Sequence, residues 1–309
     1  MTLPVINRVA IVGAGAIGIY YGTRLALAGV DVRFLIRSDL EHVRTHGFVL
    51  RERDATRRLA PVAAFARADE IGPVDLVVVA LKTTANHALP RILPPLLGPN
   101  TAVLTLQNGL GNEEWLASLV PGYAVLGGLA YIGVTREAPG ELVGYHTPGA
   151  ITFGEHGRPA TELVYTVAGL FARAGVTTRV LDRLAEARWQ KLIWNVPFNG
   201  LAIVGGGIST DRILASPELA EQVRPLMDEV ATAARHLGFQ IPEDFIQAQM
   251  DVTPGMGAYR PSSLVDFLSG REVEVEAIWG EPLRRALAAG VFLPRLTELY
   301  ERLKNVVRS

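Results

Sequence analysis

The chain contains no cysteine. Structural disulfides, thiolate metal sites and thiol nucleophiles are therefore excluded, and at 309 residues the chain is long enough to bury the cores of two ordinary domains without such staples. Neither charge is in excess, with 30 Lys and Arg against 31 Asp and Glu. No block of like charge suits a nucleic-acid groove or a polybasic membrane anchor. No run approaches the about 18 uninterrupted apolar residues of a membrane span, and Met1-Thr2-Leu3-Pro4-Val5 lacks the charged start and cleavage site of a signal peptide. These absences point to a small-molecule partner, with no nucleic acid, membrane or metal, and to a cytoplasmic location.

What is present is a punctuated alternation of apolar runs. Arg8-Val9-Ala10-Ile11-Val12 is β-branched and leads into Gly13-Ala14-Gly15-Ala16-Ile17-Gly18, after which a helical stretch ends near Gly29. Residues 31–36, 74–81 and 101–106 read as further strands, spaced by segments able to form crossover helices. Runs apolar on both faces are what a parallel sheet covered on both sides requires. Between Val125 and Phe153 glycine-punctuated pieces suggest a meander extending the sheet, completed by a helix near 163–173 and a strand at 177–180. Beyond Leu181 strand signals vanish. The expected fold is α/β: a Rossmann-like domain with a mostly parallel sheet over 1–182, followed by an all-helical domain over 183–309. Within the latter, one helix is expected to start at Ser216-Pro217 and close at Gly238, and others over 263–289 and 295–307.

The glycine loop carries the first chemical signal. In Gly13-x-Gly15-x-x-Gly18 the first glycine permits a tight turn, the second lets a pyrophosphate approach the backbone, and the third allows close helix-on-strand packing. Ala14, Ala16 and Ile17 complete the loop, and the helix N-terminus offers free N–H groups to phosphate. An acidic residue ending the second strand would accept hydrogen bonds from the ribose of NAD. The chain has Arg37-Ser38 there, which suits the 2′-phosphate of NADP, although Asp39 stands close by. Lys82 and Asn108, the latter in Gln107-Asn108-Gly109-Leu110-Gly111, follow strands at the carboxyl ends where open α/β sheets bind ligands.

A second signal lies in residues 189–199, where Lys191, Asn195 and Asn199 recur at every fourth position amid Leu, Ile, Trp, Val and Phe. On a helix they form one stripe, drifting about 40° per step. A lysine with two amides in apolar surroundings needs partners, which a polar ligand could supply. Pro197 is expected to bend the stripe. Gly270-Arg271-Glu272-Val273-Glu274-Val275-Glu276 offers three carboxylates, among which the sequence does not choose.

With these residues in hand, the chain resembles the ketopantoate reductase (2-dehydropantoate 2-reductase) family of the 6-phosphogluconate-dehydrogenase-like superfamily. The likeness rests on the glycine loop with Arg37, Leu81-Lys82, Gln107-Asn108-Gly109-Leu110-Gly111, the Lys191, Asn195, Asn199 stripe, and Pro261-Ser262 through Asp266 to Gly270-Arg271 and Glu274-Val275-Glu276. The resemblance implies NADPH-dependent reduction of a 2-oxo acid with Lys191 as general acid. It implies that Asn108, Asn195, Asn199 and Ser262 bind substrate, that Asn108 lies between substrate and cofactor with Lys82 facing the same cleft and the cofactor, that Glu274 is catalytic and helps hold the cofactor and the polar groups of the site, and that the Val134 backbone contacts the cofactor. Two departures lie on the substrate side: Asn199 is followed by Gly200 where members often have proline, and Ser209 falls where another polar contact is expected. A reductase of a different small 2-oxo acid, or an NADP-sensing protein without turnover, are the competing expectations. A homodimer through the helical domain is compatible with all of them.

Overall fold

The computed structural model describes residues 5–308. The chain divides into two compact units, one comprising residues up to Gln107 with Asn112–Leu184, the other comprising Asn108–Gly111 with the chain from Ala185 onward. In the first, the elements are β1 (Arg8–Val12), α1 (Ala16–Leu27), β2 (Asp31–Leu35), α2 (Leu40–His46), β3 (Phe48–Arg51), β4 (Thr56–Leu59), β5 (Ala64–Phe65), α3 (Ala68–Ile71), β6 (Val74–Val79), α4 (Leu89–Ile92), β7 (Leu97–Thr105), α5 (Asn112–Leu119), β8 (Ala124–Ala138), β9 (Glu141–Glu155), α6 (Glu162–Arg173) and β10 (Thr177–Val180).

These strands form one sheet in the order β4-β3-β9-β8-β7-β6-β1-β2-β5, with β10 also on β9. Only β3–β4 and β8–β9 run antiparallel among the described residues. Alternation along the central strands builds two cores. Val9 and Ile11 of β1 pack on one side with Ile19, Tyr20 and Leu25 of α1 and Val167 and Phe171 of α6. Ala10 and Val12 pack on the other with Ile71, Leu89, Leu96 and Leu116. Both faces are covered, as the doubly apolar strands require.

Two sequence expectations change here. The segment between β2 and β6 holds, besides α2 and α3, an antiparallel hairpin and a short strand in place of crossover helix alone. Thr56-Arg57-Arg58-Leu59 forms the sheet's edge, and charged edge strands of this kind guard against further pairing while showing no apolar alternation. The meander is instead one hairpin of two 15-residue strands, turning at Pro139-Gly140. Its glycines lie inside strands because packing leaves no room: a Cβ at Gly128 would stand 2.5 Å from Leu106 Cδ2.

The second unit is helical: α7 (Leu184–Val204), α8 (Thr210–Ala215), α9 (Pro217–His236), α10 (Glu243–Val252), α11 (Ser262–Leu268), α12 (Glu281–Ala288) and α13 (Pro294–Arg308). Trp189, Ile193, Val196 and Phe198 of α7 join Val223, Met227 and Val230 of α9 and Leu296, Leu299 and Leu303 of α13 in one core. The single helix expected over 263–289 is interrupted. Gly270 adopts φ 62°, a left-handed close to α11, and after a non-helical stretch the chain enters a π-helical turn at Glu276–Gly280 before α12. No helix among the described residues is long and apolar enough to cross a membrane.

Candidate active-site residues

In the first unit the three glycines of the loop meet different surroundings. Gly13 has φ 110° and lies so close to the next strand that a Cβ would stand 2.5 Å from the Leu81 nitrogen. At Gly18 a Cβ would be 2.0 Å from the Gly13 oxygen, so the helix packs directly on the turn. Gly15 is different: a Cβ there would meet nothing within 4 Å. It is exposed, with Ala14, Ala16 and Ile17 partly so. Gly15 caps α1 without a side-chain hydrogen bond, and the first turn has no acidic residue. Unblocked N–H groups at the positive end of a helix beside open space fit a pyrophosphate.

Lys82 is partly buried and precedes a 3-10 turn at Thr83–Ala88. Gln107 fastens that turn, its amide donating to the Leu81 carbonyl at 3.0 Å and to Asn86 Oδ1 at 2.7 Å. Thr105 donates to Gln107 Oε1 at 3.1 Å. Arg37 is exposed just beyond β2. Val134 lies within β8 opposite Gly144 of β9.

In the second unit, the Lys191 ammonium donates to Asn108 Oδ1 at 2.9 Å. The lysine sits on α7, and burial together with the Arg188 charge one turn earlier lowers its pKa from 10.5 to about 7, against the opposing pull of Glu274. The three carboxylates differ in burial and in partners. Glu274 is 4% exposed, whereas Glu272 is exposed and Glu276 is engaged by Arg284 at 2.6 Å and by the Tyr300 hydroxyl at 2.7 Å. Of the three carboxylates, Glu274 is the one whose charge acts on Lys191.

The π-helical turn holds this group together. A π turn leaves carbonyls out of the usual i−4 ladder, and here the Leu110 N–H donates to the Ala277 carbonyl at 3.0 Å, which fixes the loop carrying Asn108. Gly109 has φ 85°, and a Cβ on it would lie 2.3 Å from the Ala277 oxygen. From the same turn, the Trp279 indole donates to the Val196 carbonyl of α7 at 2.9 Å.

The remaining predicted residues lie along α7 and at the start of α11. Asn195 is partly exposed, and its side chain makes no hydrogen bond among the described residues. Asn199 is 1% exposed and accepts the Ser263 N–H at 3.0 Å, so it anchors the first turn of α11, where Ser262 is exposed. Ser209 is turned aside, donating to Asp211. Sequence reasoning missed Arg188, which helical periodicity from Lys191 could have found, and Trp279, whose partner lies on another helix and left no local signal.

A doubly covered, mostly parallel sheet with a glycine loop, joined to a helical unit bearing a desolvated lysine beside an amide and a carboxylate, defines a two-domain oxidoreductase of the nicotinamide-dinucleotide class. Residues 9–158 match the family model described as Ketopantoate reductase PanE/ApbA, and residues 183–307 match its C-terminal counterpart. The chain belongs to the ketopantoate reductase family, which bears out the resemblance carried by its motifs. The 2-dehydropantoate 2-reductase of Nostoc sp. is 40% identical over 304 residues, covering 96% of this chain and 94% of that protein. That of Mesorhizobium japonicum is 32% identical, covering 88% and 89%. The crystal structure of 2-dehydropantoate 2-reductase from Geobacter metallireducens matches with a TM-score of 0.92 at 39% identity, covering 96% of this chain and 99% of that one.

Proposed function

We propose that this chain reduces 2-dehydropantoate to pantoate with NADPH, and that Lys191 is the general acid. The observation that carries the proposal is the lysine itself, held at 2.9 Å from Asn108 Oδ1 with its pKa brought down to about 7. A general acid works best when its pKa lies near the operating pH, because enough of it is protonated and the proton leaves readily. The substrate follows from relatives of 40% and 39% identity, both described as 2-dehydropantoate 2-reductases.

A nicotinamide dinucleotide held at the glycine loop would supply the hydride for the carbonyl carbon. The chain's own residues supply the rest. As an ammonium, Lys191 Nζ stabilises the negative charge that develops on the carbonyl oxygen and then passes it a proton. Asn108 keeps Nζ oriented, and Glu274 counters the loss of charge that burial imposes on the lysine. Asn195 offers an uncommitted amide to the substrate, and Ser262, presented by the α11 turn that Asn199 anchors, offers a hydroxyl. Neutral donors hold a carboxylate without adding a further cation next to Lys191. In the first unit the N-terminus of α1 would take the pyrophosphate and Arg37 the additional phosphate of NADPH, with Lys82 facing the cofactor.

Oxidation of NADPH followed with a panel of 2-oxo acids tests the proposal. 2-Dehydropantoate is expected to give the highest kcat/KM, and Lys191→Ala to lower kcat by about 100- to 10,000-fold while cofactor binding survives. A folded Lys191→Ala protein keeping more than about a tenth of wild-type kcat contradicts the assigned role.

A further inference from the structure

The residue that speaks against NADPH is Asp39. A carboxylate two positions beyond Arg37 would repel a 2′-phosphate and accept hydrogen bonds from a free ribose 2′-hydroxyl, the arrangement that selects NAD. Its backbone is unusual, since Asp39 is the only non-glycine residue with positive φ among those described, at 63°. This left-handed turn redirects the chain from β2 into α2, whose first bond runs from the Val43 N–H to the Asp39 carbonyl at 2.9 Å. Asp39 is therefore held at the end of β2 and not free to swing away with a loop.

Its carboxylate is nevertheless committed elsewhere. Arg136, near the far end of β8, donates from Nη2 to Asp39 Oδ2, and the two side chains are only 28% and 26% exposed. Arg136 is itself steadied by a hydrogen bond from Nε to the Ala138 carbonyl at 3.4 Å. Arg37, by contrast, is exposed and makes no ion pair among the described residues. Across these three side chains the charge is +1. With Arg136 removed it falls to zero, and the carboxylate regains its capacity to accept hydrogen bonds. The partly buried Arg136–Asp39 pair is screened by salt less than charges on an open surface.

We infer that Arg136 determines cofactor specificity: by capturing the Asp39 carboxylate it leaves Arg37 to select a ribose 2′-phosphate over a 2′-hydroxyl. This rests on the NADPH assignment above. Nothing in the sequence joins residues 39 and 136. The β8–β9 hairpin, which packs β9 onto β3 beside α2, brings them together.

The test is a double-mutant cycle read by binding as well as turnover. Wild type, Arg136→Gln, Asp39→Asn and the double variant are titrated calorimetrically with NADPH, NADH, 2′,5′-ADP and 5′-ADP, and kcat/KM is measured with both cofactors. Arg136→Gln is expected to lower the preference for 2′-phosphorylated ligands by about tenfold, and Asp39→Asn in that background to restore most of it. A wild type indifferent to the 2′-phosphate overturns the cofactor assignment and this inference with it. A wild type that prefers NADPH, with an unchanged preference in Arg136→Gln or an equal loss for all four ligands, overturns the inference alone. Failure of Asp39→Asn to restore the preference overturns the route through Asp39.

Discussion

The indole N–H of Trp279 donates to the carbonyl oxygen of Val196 at 2.9 Å, joining the π-helical turn after Glu274 to the part of α7 that carries Lys191 and Asn195. Val196 precedes Pro197, which has no N–H and so leaves the helical ladder one donor short, yet α7 continues to Val204. Gly200, one turn later, makes the approach possible: a Cβ there would stand 2.7 Å from Leu299 Cδ2 and 3.0 Å from Trp279 Nε1. The glycine that departs from the family's usual proline thus has a packing role.

Trp279→Phe keeps a ring in the core but removes the donor to Val196. The expected loss is about 1–3 kcal/mol of unfolding free energy, read by denaturant titration. Gly200→Ala gains about 1 kcal/mol in helix propensity but overpacks against Leu299 and Trp279, which costs about 1–3 kcal/mol. Net destabilisation is expected, and a stabilised Gly200→Ala protein would show that Trp279 does not need the space.

Much of this was legible in the sequence where the cause is local. The glycine loop could be read because its spacing falls within one contiguous strand, turn and helix. The stripe of Lys191, Asn195 and Asn199 could be read because helical periodicity fixes it. Glu274 could not be told from Glu272 and Glu276, since burial depends on packing between helices distant in sequence. Asn199 was legible as a polar residue of the stripe, but its bond to the Ser263 N–H spans 64 residues and has no local signature. The helix expected over 263–289 failed for a related reason: its apolar spacing is intact, and the break follows from Gly270 and from the demand of the Asn108 loop for the Ala277 carbonyl.

Gly15 and Gly18 separate cofactor binding from folding. A side chain at Gly15 enters open space, so Gly15→Val is expected to leave the melting temperature near wild type while weakening NADPH by at least about tenfold. At Gly18 even one methyl collides with the Gly13 carbonyl, so Gly18→Ala is expected to destabilise by about 1–3 kcal/mol or more. Thermal melts with and without cofactor, together with fluorescence titration, measure both. Equal losses of stability in the two variants would mean that Gly15 serves packing and not the pyrophosphate.

The charges around Lys191 give the sharpest check on its role, because two neighbours act on it with opposite sign. Burial and Arg188 hold the ammonium pKa down to about 7, and Glu274 pulls it up. In the direction of ketone reduction the protonated lysine is the active form, so single-turnover kcat should be highest below about pH 7 and fall as pH rises through that value. Oxidation of the hydroxy acid needs the neutral amine and should show the opposite limb. Glu274→Gln removes the favourable charge, so the descending limb should move to lower pH by about one unit. Arg188→Gln removes the unfavourable charge and should move it to higher pH by a similar amount. A lysine that merely packs against the core would leave the limb in place in both variants. Shifts of the same sign would show that the two substitutions act through a common loosening of α7, and the proton donor would have to be sought elsewhere.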